Sequence, residues 1–206
     1  MVTKIKRTVC IFVCGLLFSV SAYSSDMKGS FIFGTGFNLG LFQPALDGTG
    51  DTLLMGGRLH ADFAVFQWLS IGLESGYSTA KISDSDFAAG IVPILARVAW
   101  HPFSLQNLDP YIAGKAGYGV GFWVQEGGDH NWTEPSGGFV WGINIGLRYF
   151  FGQYIGIFLE AGYECKSFNW EHPDIETPKW EDSANGRTYA TLGLSVKLGR
   201  KSTTSP

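Results

Sequence analysis

Cysteine is scarce in this chain of 206 residues: three in all, Cys10, Cys14 and Cys165. Charge is sparse too, with Lys, Arg, Asp and Glu making up 16%. No apolar run reaches the ~20 residues that a membrane-crossing helix needs. The longest, 8–20, sits at the very start of the chain. Each shortage excludes something. Two of the three cysteines lie inside that leading run, so the rest of the chain has no cysteine pair to build a disulfide framework. Aromatics at 15% exclude a disordered, solvated chain. The 28 glycines follow no three-residue period, which excludes a collagen-like chain. Zinc-ligand spacing, a phosphate-binding loop and a dinucleotide fingerprint are all missing, so no metal and no cofactor are expected.

The leading run has a clear address. Lys4, Lys6 and Arg7 precede it and small residues follow it, the layout of a signal peptide over 1–22. Cleavage falls after Ala22 or after Ser24. A lipid-modified cysteine wants a small residue before it, and Val9 and Val13 precede Cys10 and Cys14. Without the leader, 12 Lys and Arg face 18 acids on about one domain's length of chain. That domain is expected over 26–200, followed by a polar tail, 201–206.

What the chain does have is alternation. Eight segments place an apolar side chain at every second position, with Gly, Ser or a charged residue between: 29–42, 53–66, 69–82, 90–103, 110–125, 138–151, 154–170 and 187–199. Period two is a strand with one face in an apolar medium. The connections alternate as well. Those around Gln67-Trp68, 104–109 and Gly152-Gln153 are short; 43–52, 83–89, 126–137 and 171–186 are longer. Short turns at one end and long loops at the other belong to an eight-stranded antiparallel up-and-down transmembrane β-barrel. An even strand count puts both termini at the short-turn end, the periplasmic side of a bacterial outer membrane.

One face is apolar throughout: Phe31, Phe33, Phe37, Leu39 and Leu41 in the first strand, and Val92, Ile94, Ala96, Val98 and Trp100 in the fourth. A midplane Lys or Arg on that face would cost about 2–4 kcal/mol. Aromatics gather near the strand ends. Phe66, Trp68, Trp100, Phe103, Tyr149 and Tyr154 mark one girdle; Tyr77, Phe122, Phe139, Trp141, Tyr163 and Trp170 mark the other. A soluble barrel or sandwich would turn this face inward instead.

Parity sends the charges to the lumen: Arg58, His60, Asp62, Glu74, Arg97, His101, Lys115, Arg148, Glu160, Glu164, Lys166 and Lys197. An eight-stranded barrel is only wide enough to hold side chains. These charges must therefore pair with one another or be wetted. A charge plug built on Arg58, Asp62, Glu74, Arg97, Lys115, Arg148, Glu160 and Lys197 follows. Toward the long loops the inward positions turn apolar, with Leu54, Pro93, Leu95, Trp123 and Val140, and with Arg187 among the few charges there. Pro93 falls inside a strand, where it deletes a ladder hydrogen bond. A weak seam beside an apolar upper lumen would let a small hydrophobic solute leave sideways; packing beside a bulge is the plainer alternative.

Three runs carry a resemblance: Gly90-Ile-Val-Pro-Ile-Leu-Ala-Arg-Val-Ala-Trp-His-Pro102, Pro110-Tyr-Ile-Ala-Gly-Lys-Ala-Gly-Tyr118, and Leu192-Gly-Leu-Ser-Val-Lys-Leu198. With them the chain resembles the small outer-membrane barrels of the OmpA, OmpX and OmpW types. Likeness to the OmpW type implies a narrow apolar channel with lateral release. Likeness to the OmpA and OmpX types implies a structural anchor or a surface for partners. Such barrels usually end on an aromatic, whereas here Leu198 and a polar tail close the chain. A peptidoglycan-binding domain, of the kind that follows the barrel in full-length OmpA-type proteins, is not expected from this sequence.

The long loops hold 12 acids (Asp47, Asp51, Asp84, Asp86, Glu126, Asp129, Glu134, Glu171, Asp174, Glu176, Glu181, Asp182) and one base, Lys179. Such a rim repels nucleic acid. Its Trp132, Trp170 and Trp180 suit a protein partner outside the cell, or the headgroup layer. Surrounding lipid is the other expected partner. Catalysis is not expected: His130 with Asp129 and Ser136, or His172 with Asp174 and Ser183, are ordinary loop residues without a motif.

Overall fold

The computed structural model describes residues 27–43, 52–81, 87–103, 107–125, 136–167 and 185–199. Eight strands follow one another: β1 (Phe31–Gln43), β2 (Thr52–Phe66), β3 (Leu69–Lys81), β4 (Phe87–Trp100), β5 (Leu108–Gln125), β6 (Ser136–Phe151), β7 (Ile155–Ser167) and β8 (Asn185–Leu198). Each pairs with its neighbour antiparallel, and β8 returns to β1, so the sheet closes into a barrel. Closure leaves no sheet edge, which is what allows strands to cross a membrane.

The alternating pattern is obeyed along most of each strand, with Gly90, Phe122 and Cys165 buried on outward positions. On β1, Phe31, Phe33, Phe37, Leu39 and Leu41 are exposed, while Ile32 and Asn38 are buried. On β4, Ile94, Val98 and Trp100 face out, and Leu95, Arg97 and Ala99 face in. Phe66 and Trp68 stack at the short-turn end. Near the long-loop end Phe122 stacks on Tyr77 and covers Gly90, which leaves Phe122 almost fully buried. Trp170 lies outside the described residues.

Most strand ends lie within three residues of the alternation, and the differences at β4 and β5 are instructive. β4 begins at Phe87, not Gly90, because Ala88 and Ala89 pair with Lys81 and Ala80. It stops at Trp100, since His101 turns away with its amide bonded to Trp68 O. β5 begins at Leu108, so Asp109 and Pro110 are strand residues opposite Arg148 and Leu147. At the turn between β6 and β7, Gly152 has φ of 83°, a conformation costly for any residue with a Cβ.

The register fixes the stagger of the barrel. From Ile32 the pairing runs to Asp62, Gly72, Arg97, Lys115, Gly142, Glu164 and Arg187, and returns to β1 at Phe42. One circuit therefore climbs ten positions along β1, from Ile32 to Phe42. Inward rows spiral up the wall toward the long loops. Many inward positions are glycine because the lumen is narrow: a Cβ at Gly34 would strike the His60 ring, and one at Gly146 the Tyr111 ring.

Candidate functional site

The spiral row from Asp62 to Arg187 carries five charged side chains, and Glu74 and Arg58 flank it. Glu164 stands near its upper end. Its Oε1 accepts from Arg58 Nη2 at 2.5 Å and lies 2.7 Å from Lys115 Nζ. Its Oε2 accepts from Arg187 through both Nε and Nη2. Glu74, four strands away on β3, repeats the device, with Arg58 Nη1 at 2.5 Å and Lys115 Nζ at 2.7 Å on Oε1. The Tyr189 ring lies 3.8 Å from the Arg58 guanidinium, and its hydroxyl accepts from Lys115 at 2.8 Å. Sharing of this kind offsets the desolvation of charges that are almost wholly buried.

Arg97 links this upper cluster to a lower one. Its Nε lies 3.8 Å from Glu74 Oε2, and its two terminal nitrogens reach Asp62 at 3.3 Å and Glu160 at 3.2 Å. Tyr111 donates to Glu160 at 3.0 Å and offers its ring to Arg97 and Arg148. Arg148 donates to Asp109 Oδ2 at 2.8 Å and meets His60 Nε2 at 3.3 Å. Adding Asn38 of β1, which donates to Ser78, every strand contributes a buried side-chain contact. The lumen is crossed by one continuous polar mesh.

At the short-turn end His101 sits between two partners: Nδ1 is 2.7 Å from Asp109 Oδ1, and Nε2 is 3.0 Å from Ser70 Oγ. The connectivity matches a Ser-His-Asp relay. Ser70 is sealed from solvent, however, and Asp109 also holds Arg148. In this arrangement both ring nitrogens of a buried His are satisfied, and the β4–β5 turn is tied onto β3.

Toward the long loops the inner wall changes character. The row starting at Glu74 runs through Leu95, Gly117 and Val140 to Lys166. The next row up passes Gly76, Pro93, Gly119 and Gly138. Leu54, Leu95 and Val140 are buried, and Pro93 is too. Beside them the β3–β4 ladder has a hole. Pairing holds to Ser75–Ile94 and resumes at Ser78–Ile91 in unchanged register, so two rungs, at Gly76–Pro93 and Tyr77–Val92, are missing. No bulge accompanies the proline here. The carbonyl of Pro93 faces β3 and accepts from Ser75 Oγ at 2.8 Å. In an antiparallel ladder the N–H of that same residue would face β3 as well, and proline has none.

The residues singled out by parity are distributed as follows. Arg58, Asp62, Glu74, Arg97, Lys115, Arg148 and Glu160 meet in the mesh. Lys197 lies half-buried near the short-turn end, over the Phe150 ring at 4.8 Å. Leu54, Pro93, Leu95 and Val140 lie on the inner wall; the Trp123 side chain is outside the described residues, although its backbone pairs with Ala89. The acidic loop residues, Trp132, Trp180, His130 and His172 are likewise outside them, as are residues 1–22 and the tail 201–206. Parity missed Asp109, because Asn107-Leu108-Asp109-Pro110 has turn composition.

No protein-family model and no curated protein matches the chain. Solved structures do. Neisserial surface protein A aligns with a TM-score of 0.53 and 15% identity, covering 84% of this chain and 100% of that one. The chain has the fold of the small eight-stranded outer-membrane barrels. The attachment invasion locus protein Ail of Yersinia pestis aligns with a TM-score of 0.52 and 14% identity, over 83% of this chain and 99% of that one. The outer membrane protein OprG of Pseudomonas aeruginosa gives 0.51 and 12%, over 86% and 98%. At these identities the likeness reaches the barrel and stops there.

Proposed function

We propose that this barrel releases small apolar solutes sideways into the outer membrane, through the gap between β3 and β4 at Pro93. The long loops face outward in this reading, and the short turns and both termini lie in the periplasm. Solute enters from outside, meets the charge mesh as a floor, and is diverted along the wall of Leu54, Leu95, Gly117 and Val140. The observation that carries the reading is the pair of missing rungs in an otherwise continuous ladder, beside inward positions occupied by glycine and apolar side chains. Backbone separation there costs fewer hydrogen bonds than anywhere else in the β3–β4 seam.

The test is quenching of Trp fluorescence in the refolded barrel by a brominated short-chain hydrocarbon, with Leu95→Arg as control. Saturable quenching that Leu95→Arg removes is the expected result. Weak, non-saturating quenching identical in the two proteins would refute the upper lumen as a binding site.

The mesh itself favours a second reading, a closed anchor whose acidic loops bind a partner outside the cell. A plug that joins seven of the eight strands, β2 to β8, is what such a barrel needs. Deleting 171–186 would then abolish partner binding, whereas lateral release would survive it.

A further inference from the structure

Lys166 is left over from the ion-pair mesh. It points inward from β7 and is fully buried, yet among the described residues no acceptor lies within hydrogen-bond distance of its Nζ. The carboxylate nearest along its own strand is Glu164, two positions away on the same face. A carboxylate offers about four lone-pair sites. Those of Glu164 are taken by Arg58, Lys115 and both the Nε and Nη2 of Arg187. Arg187, paired opposite Glu164 and therefore diagonal to Lys166, keeps a second buried donor, Nη1, without a partner.

Charge is unbalanced in the same place. Around Glu74 and Glu164 stand Arg58, Lys115, Arg187 and Lys166, four basic side chains for two acids, with Arg97 reaching Glu74 from below at 3.8 Å. Around Asp62, Glu160 and Asp109 stand Arg97 and Arg148, two cations for three anions. The upper lumen is thus a basic, buried compartment with three donor nitrogens unused, Lys166 Nζ, Arg187 Nη1 and Arg58 Nε, and a buried donor without an acceptor is costly. The register also places Lys166 at the end of the row Leu95–Gly117–Val140, with Val140 as its direct cross-strand neighbour. An apolar wall that ends on a cation suits an amphipath.

We propose that Lys166 Nζ and Arg187 Nη1 form a head-group site for a carboxylate, whose apolar tail lies along Val140 and Leu95 toward Pro93. The tail's course rests on the lateral-release reading; the head-group site does not. The solute class narrows accordingly from hydrocarbons at large to short apolar acids.

Chemical-shift titration of the 15N-labelled, refolded chain in zwitterionic micelles, read at the β7 amides of residues 164–167, tests this. The probes are hexanoate, acetate and hexanol. Hexanoate is expected to saturate at those amides, acetate to bind there more weakly, and hexanol to shift them little. Lys166→Met should weaken hexanoate and acetate about tenfold, the size of one charge-assisted hydrogen bond. Lys166→Arg should keep most of the affinity, and it preserves a reading if the Met variant does not refold. Equal hexanoate binding in wild type and Lys166→Met, or hexanol binding as tightly as hexanoate, would overturn the proposal. Acetate reads the head group alone: a Pro93→Val barrel that still binds acetate while releasing solute at the wild-type rate would sink lateral release and leave the anion site standing.

Discussion

Glu164 is one of the side chains that tie the lumen together, as Glu74 and Arg97 are. Three cations share its two oxygens, and none of the four groups reaches solvent. Replacing it with Gln keeps the shape and removes the charge, which strands Arg58, Lys115 and Arg187 against one another. Breaking a buried pair in this way costs about 3–5 kcal/mol. Glu164→Gln should therefore lower the urea midpoint of the refolded barrel markedly, with an unchanged slope. A midpoint within error of wild type would mean that the mesh contributes little to stability. At the other end Asp109→Asn removes the charge that faces both Arg148 and His101. A loss of about 2–4 kcal/mol is expected there, again read from the urea midpoint. Residue by residue, inward or outward placement was legible because a strand has only two faces. Pairing was not, since partners such as Arg58 and Glu164 lie 106 positions apart. Asp109 escaped notice for a different reason: beside Asn107 and Pro110 it has the chemistry of a turn, and only tertiary pairing with β6 makes it strand.

At the level of elements, the seam between β3 and β4 behaves unlike the other seven. Ser75, an outward residue, spends its hydroxyl on Pro93 O and so closes part of the gap with a single side-chain bond. Ser75→Ala removes that bond without touching the inner wall, and its cost to stability should be slight, about 0.5–1.5 kcal/mol. Amide hydrogen exchange at Gly76, whose N–H faces β4 opposite Pro93, should quicken in this variant and slow in Pro93→Val, which restores a donor facing β3. Equal exchange in all three proteins would show that the seam is not held by these groups. Strand number and order could be read from alternation, because each segment keeps its period for a dozen residues or more. Strand ends were off by a few residues at β4 and β5, where small or turn-forming residues (Ala88, Ala89, Asp109) carry no alternation signal. The missing rungs were foreshadowed by Pro93 alone; the unbroken register around it was not.

For the whole molecule, stagger decides what the lumen can do. A climb of ten positions per circuit sets the charged row of Asp62, Arg97, Lys115, Glu164 and Arg187 obliquely across the barrel. The mesh therefore rises toward β7 and β8 and stays low beneath β4, so the wall at Pro93 and Leu95 stands above it. No sequence pattern encodes that slope, since stagger is a property of the closed sheet. A floor that tilts toward an interrupted seam fits sideways exit better than axial passage.

The most direct measurement locks that seam. Tyr77 and Val92 stand opposite one another at a missing rung, a separation that two cysteines can bridge. In liposomes carrying the Tyr77→Cys/Val92→Cys barrel, arrival of a brominated hydrocarbon in the bilayer is followed by quenching of a lipid-embedded fluorophore, with and without reductant. Lateral release predicts that the oxidised barrel delivers no faster than protein-free liposomes and that reductant restores the wild-type rate. Equal rates in the oxidised and reduced states, both above the protein-free rate, would contradict it.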